Sequence, residues 1–152
     1  ANYCEKIALK KGVYYIASNN DQPYQLKYTA KAIKDKSGSS KKKAKMIKKK
    51  KTAGGIVAYT ESSSKADWYK VKLNKKQHMQ LQISVDNNGS DRLYFQVIPA
   101  NKNYRLINDT VRLSNGTHKI KSKSALKKGV YYIKVTKGYS SYSGGYKIKN
   151  LK

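Results

Sequence analysis

The chain is poorly supplied with groups that do acid–base or nucleophilic chemistry. Its 152 residues hold two histidines, eight acids and one cysteine. His78 lies on the polar side of an alternating stretch and His118 in a turn-flanked one, and neither is spaced to a carboxylate or a nucleophile. Both read as surface residues. Glu61, Asp86, Asp91 and Asp109 fall on turn-like segments, so paired carboxylates for acid–base work are not indicated. Asp67 stands apart, next to Trp68 and Tyr69. The single Cys4 excludes an internal disulfide framework and a multi-cysteine zinc site. The expectation is a chain that is not an enzyme, with no catalytic residue, metal ligand or cofactor.

Chemistry of another kind is abundant. There are 34 basic against 8 acidic residues, a formal charge of +26, and only Arg92, Arg105 and Arg112 among the basic residues are arginines. Such a charge draws the protein to polyanions, but lysine acts as a solvated point charge without the planar fork that reads phosphates and bases. Residues 41–51 hold the densest run, with Lys41, Lys42 and Lys43 as candidate contacts. Its partners would be an anionic cell-wall polymer, an acidic glycan or an extracellular-matrix protein. Nucleic acid would bind only non-specifically, through phosphate neutralisation. A second candidate patch is TKGYSSYSGGY, where Lys137, Tyr139 and Tyr142 sit on a Ser/Gly-rich tip. Tyrosine offers contact area at low entropic cost. The competing reading places Tyr146 in the core and leaves Tyr139 and Tyr142 covering a sheet edge. No run reaches the ~18 apolar residues of a membrane span.

The elements that position these residues read as strands. HMQLQISV alternates Met79, Leu81, Ile83 and Val85 with polar residues, and Tyr69, Val71 and Leu73 alternate with Trp68, Lys70 and Lys72. A period of two gives one buried and one wet face. Residues 55–60 and 92–98 are further strands, and Asp86–Ser90 and Asn115-Gly116 are turn signals. Residues 39–51 are the one stretch that could be helical, but their lysines would repel at i, i+4 spacing, and a solvated strand or loop giving Ala44, Met46 and Ile47 to the core is expected. Residues 31–43 read as a linker.

The nine residues ALKKGVYYI occur twice, at 8–16 and at 125–133, an offset of 117 residues. Each copy is followed by a polar loop and a second apolar strand, so Tyr24-Gln25-Leu26-Lys27 aligns with Tyr146-Lys147-Ile148-Lys149. Each copy reads as a β-hairpin. Short strands with frequent turns and clean alternation argue for an antiparallel β-sandwich.

With the strands in place, the order of SSKKKAKMI, GGIV, KADWYKVKL, ALKKGVYYIKV and GGYKIKN resembles the bacterial pre-peptidase C-terminal domain. That family is similar to the collagen-binding domains of clostridial collagenases. The resemblance covers residues 36–152 and implies a jelly-roll-like β-sandwich. In calcium-binding members it also implies acids in the leading segment. Here those positions read Lys36, Ser37, Gly38 and Ser39, Ser64 stands where a second acid would precede Asp67, and calcium binding is expected to be lost. The tyrosines that the relatives use for collagen correspond to Arg112, Thr136 and the Gly138-Tyr139 pair, of which only Tyr139 matches.

The expected organisation is a closing β-hairpin of a preceding repeat plus linker over residues 1–34, then the sandwich domain over 35–152. A lone two-stranded hairpin is marginal in water, so it is expected to pair with its own sandwich or with a neighbouring chain. The reading is a piece of a longer, exported repeat protein: a non-catalytic binding or spacer module, extracellular or on the surface of a bacterium. The alternative is an accessory domain of a secreted hydrolase, a protease in particular, whose catalytic part lies elsewhere.

Overall fold

The computed structural model describes residues 4–19, 21–100 and 110–152. Among them are nine strands: β1 (Lys45–Met46), β2 (Thr52–Val57), β3 (Asp67–Leu73), β4 (Gln80–Asp86), β5 (Leu93–Pro99), β6 (Val111–Leu113), β7 (Gly116–Lys121), β8 (Gly129–Lys137) and β9 (Gly144–Asn150). They form a five-stranded sheet in the order β1-β3-β8-β5-β6 and a four-stranded sheet in the order β2-β9-β4-β7. The chain is an all-β sandwich, as expected. Every pairing is antiparallel except β1 with β3.

Alternation sets which side chains meet between the sheets. Tyr69, Val71 and Leu73 of β3, Leu81, Ile83 and Val85 of β4, and Ile133 and Val135 of β8 are buried in one core cluster, while their neighbours in sequence face outward. A one-residue slip in any strand would turn that whole set to solvent, so the apolar pattern pins the register. On either side of β1, Ala44 and Ile47 are buried as expected, but Met46 within it is exposed. The cause is β1 itself: it is two residues long and its side chains are outside the core. The linker over 31–43 is also more engaged than its composition suggests. Gly38 forms a β-bridge with Trp68, and Lys36 N donates to Gly54 O at 2.9 Å.

The reading of each repeat copy as a hairpin is corrected. In the second copy β8 pairs with β3 and β5, whereas β9 pairs with β2 and β4. The two strands lie in opposite sheets, joined by an arch over residues 138–143. Each is an inner strand needing two neighbours. The first copy has neither sheet around it, and among residues 4–34 the described ones carry no strand. The expected N-terminal hairpin is therefore not formed, and it does not pair as a strand with its own sandwich. The segment is tethered instead by separate contacts. Tyr59 N donates to Ala8 O at 2.8 Å, Ala8 N donates to Ser143 Oγ at 3.0 Å, and Lys10 Nζ lies 2.7 Å from Glu61.

Two glycines show how tightly the core closes around its hydroxyl groups. A Cβ at Gly55 would fall on the hydroxyls of both Tyr146 and Tyr69, whereas one at Gly89 would meet open space. Gly55→Ala is expected to cost about 2 kcal/mol through overpacking, and Gly89→Ala to be within about 0.5 kcal/mol of wild type. Denaturant titration of the two variants side by side checks this.

Candidate functional site

Strand parity that buries one side of the five-stranded sheet presents the other to solvent. Trp68, Lys70 and Lys72 of β3, Tyr132, Lys134 and Thr136 of β8, Tyr94 and Gln96 of β5, and Arg112 of β6 occupy those outward positions. Register brings them into rows: Trp68 opposite Lys134 and then Gln96, Lys70 opposite Tyr132, and Tyr94 between Thr136 and Arg112. Each ring carries a cation. Lys134 Nζ lies 5.5 Å from the Trp68 ring centre, Lys41 Nζ 5.1 Å from that of Tyr132, and Arg112 Cζ 5.2 Å from that of Tyr94. Ring quadrupoles attract these cations. Tyr132 and Thr136 are four residues apart on one strand, about 13 Å, and across the strands the face sets rings beside positive charge.

Both patches expected from sequence border this face. Lys41 reaches it from the loop before β1, while Lys42 and Lys43 are exposed. At the other end, Gly138 packs so closely under Tyr94 that a Cβ there would collide with the Tyr94 hydroxyl. The tip that follows holds Tyr139, exposed, edge-to-face with Tyr142 at 5.0 Å. Lys137 is corrected as a candidate contact. It is buried, and its Nζ donates to Ala58 O at 2.9 Å, Tyr59 O at 3.1 Å and Ser140 O at 2.8 Å. Trp68, Tyr94 and Tyr132 were not among the expected contacts, although the outward parity of an aromatic residue beside a buried one, as in Trp68-Tyr69, is the signal that locates them.

The opposite outer face, that of the four-stranded sheet, is crossed by residues 31–36. Ile33 sits over Gly145 where a Cβ would otherwise be, and Lys6 bonds Asp86 at 3.1 Å. Among the described residues, that strap crosses the four-stranded sheet, while the outward side chains of the five-stranded sheet stay at least partly exposed.

The remaining titratable groups with shifted behaviour are spent on internal bonds. Asp67 is buried and accepts from Tyr146 Oη at 2.6 Å; Tyr146 Oη lies 2.9 Å from Tyr69 Oη, which donates to Gly54 O at 3.0 Å. Burial raises the Asp67 carboxyl to about 6, against the hydrogen bond from Tyr146 that favours its charged form. Burial also pushes Glu61 up, but hydrogen bonds from Lys10 and Lys65 outweigh it and its pKa lies below the usual carboxylate value. His78 Nδ1 is 2.8 Å from Ser122 O and His118 Nε2, on β7, is 2.9 Å from Ser114 O. Asp109 and Arg105 lie outside the described residues. Among the described residues no three His, Cys, Asp or Glu side chains gather to hold a metal ion.

The fold is that of an all-β sandwich. No protein-family model and no curated protein matches the chain. Among solved structures it is similar to the pre-peptidase C-terminal domain of a collagenase from Bacillus anthracis, at 19% identity over 70% of this chain and 92% of that one, with a TM-score of 0.47. It is also similar to a Podospora anserina GH26-CBM35 β-(1,4)-mannanase, at 14% identity over 64% of this chain and 22% of that one, with a TM-score of 0.41. The first is the likeness that the strand motifs led one to expect.

Proposed function

We propose that this chain is a non-catalytic, extracellular binding and spacing module that holds an extended anionic polymer, an acidic glycan or wall polymer, along the outer face of its five-stranded sheet. The observation that carries this reading is the set of three cation–aromatic pairs, Lys41 on Tyr132, Lys134 on Trp68 and Arg112 on Tyr94, on that face. Flat rings take the apolar side of a sugar or matrix chain, and the cations beside them neutralise its charges. A net charge of +26 speeds encounter with any such polymer and makes binding weaken with salt. Asp67, Glu61 and Lys137 are committed to internal bonds, which supports a binding role rather than a catalytic one.

The test is titration of the intact chain with polygalacturonate, with a DNA duplex and a neutral glucan as comparisons. Trp68→Ala and Tyr132→Ala are each expected to weaken polygalacturonate binding about tenfold, the magnitude of one lost ring contact. Neutralising Lys48, Lys49, Lys50 and Lys51, which lie off this face, is expected to change it less. Binding that ignores Trp68 and Tyr132 but collapses with that lysine run would replace the proposed site by a diffuse charge effect. Binding unchanged between low and moderate salt would dismiss the polyanion altogether.

A further inference from the structure

One outward row of the four-stranded sheet crosses all of its strands. Gly54 of β2 pairs with Lys147 of β9, Lys147 with Ser84 of β4, and Ser84 with Thr117 of β7. Directly opposite residues share a face, so these four form one floor, and residues 31–36 run above it. That strap is fixed at two points: Ile33 seats over Gly145, and Lys36 N donates to Gly54 O at 2.9 Å. Floor and strap bound a cleft of about 660 Å³.

Its walls carry one sign of charge. Lys6, Lys31, Lys34, Lys36 and Lys147 line it, and Asp86 is the one carboxylate among the lining residues. Asp86 is bonded to Lys6 at 3.1 Å, and among the described residues none of the other four lysines has a carboxylate within ion-pair distance. Five ammoniums less one carboxylate leave an excess of four positive charges. Like charges gathered in one cleft repel one another and concentrate anions there. The floor supplies neutral partners: Ser84 Oγ and Thr117 Oγ1 lie 3.1 Å apart and both residues line the cleft.

The lysines stand on three separate parts of the chain: Lys6, the strap and β9. Their charges are therefore spread around the rim and do not converge on one point. An anion that answers them carries several separate charges around a hydroxyl-bearing centre. A lone phosphoryl group presents its charge at one place and leaves most of the ammoniums unmatched. Sulfate esters and a carboxylate distributed over two sugar rings meet the rim, and the ring hydroxyls meet Ser84 and Thr117. Lysine suits this role, because a mobile point charge follows scattered anionic groups without the planar geometry of a bidentate arginine. We propose that the cleft between residues 31–36 and the four-stranded sheet is a second binding site, for a sulfated oligosaccharide. It is distinct from the aromatic face of the five-stranded sheet, and it reads charge density where that face offers rings.

The test is titration of the full chain, at fixed ionic strength, with a trisulfated heparin disaccharide, its unsulfated form and inorganic pyrophosphate. The sulfated disaccharide is expected to bind tightest of the three. Lys34→Gln with Lys147→Gln is expected to weaken it about tenfold, as two surface contacts each worth a few-fold. Lys127→Gln with Lys128→Gln removes the same charge outside the cleft and is expected to change it less than about twofold. All four side chains are exposed, so both double variants are expected to unfold as wild type does. Ser84→Ala keeps every charge and is expected to weaken binding about threefold. Amide exchange at Lys36, whose N–H ties the strap to β2, is expected to slow when the disaccharide is bound. Trp68→Ala is expected to leave this binding unchanged, so failure here and failure of the polymer face are read separately. Equal losses in the two double variants reduce the effect to diffuse charge and overturn the proposal. Tighter binding of pyrophosphate, no binding of the sulfated disaccharide, or a loss in Trp68→Ala as large as in the cleft variant overturns it too.

Discussion

Replacing Tyr146 by Phe is expected to destabilise the fold by about 3 kcal/mol, the order of a buried hydroxyl shared by two partners of which one is a carboxyl. Three contacts run in a line, from Asp67 to Tyr146, from Tyr146 to Tyr69 and from Tyr69 to Gly54 O. With Asp67 ionised, only the two tyrosine protons are present to serve them, so one contact goes without. With Asp67 protonated, three protons serve three contacts. Burial favours the neutral form and outweighs the hydrogen bond from Tyr146, so the carboxyl sits at about 6 instead of its ordinary 3.8.

The stability consequence has a definite sign. Between pH 3.8 and about 6 the folded protein keeps a proton that the unfolded chain has released. The contribution of this group is therefore greatest below the lower value, falls as pH rises through the window, and is flat above it. The gap corresponds to roughly 3 kcal/mol as an upper figure, at about 1.4 kcal/mol per pH unit. Glu61 acts in the opposite sense, its stabilisation being lost as pH falls through its depressed pKa. A difference measurement removes it: the stability of wild type minus that of Asp67→Asn, by urea titration across pH 3.5–7, is expected to decline with pH by about this amount. A flat difference would show that Asp67 titrates normally. In Tyr146→Phe the loss is expected to be larger at neutral pH than at pH ~4.5, because the ionised carboxyl has then lost its donor. Tyr69→Phe is expected to cost only about 1 kcal/mol, since the Asp67–Tyr146 bond survives it.

Strand positions were legible in the sequence because a period of two survives wherever one face of a sheet is buried. Met79, Leu81, Ile83 and Val85 were read correctly, as were Tyr69, Val71 and Leu73. Pairing was not legible. Residues 129–150 show two strands and a short loop, and that pattern is the same whether the loop turns back within one sheet or arches between two. Only the neighbours decide, and they come from β2, β3, β4 and β5, far away in sequence. β6 and β7 were found only as the turn between them, because Val111–Leu113 is three residues long and β7 carries no fully buried residue. The binding face was half legible: composition announced an affinity for anions, but which lysines meet rings depends on register across three strands.

Lys137 shows how the same parity rule corrects a reading of the site, and it carries the second large effect. Counting by twos from Tyr131 through Ile133 and Val135 puts Lys137 on the inner side of β8, where a lysine needs every proton matched. The structure matches all three, to the carbonyls of Ala58, Tyr59 and Ser140. Burial lowers its pKa, while the negative charges of Glu61 and Asp91 support its charged form. The ammonium therefore pins the end of β2 to the arch that carries Tyr139 and Tyr142. Lys137→Met keeps the length of the side chain and removes the donors, leaving three carbonyls in a nearly closed space. A cost of about 3–4 kcal/mol is expected, from the loss of charge-assisted bonds and the acceptors stranded behind them. Urea denaturation reads that cost. Amide exchange is expected to speed up over residues 138–143 more than in β3 or β4, since the arch loses its anchor before the sheets lose theirs. Polygalacturonate binding, measured where the variant is still folded, is expected to keep its dependence on Trp68 and Tyr132. A variant as stable as wild type that had lost polymer binding would return Lys137 to the surface as a ligand contact, and the buried anchor would have to be given up.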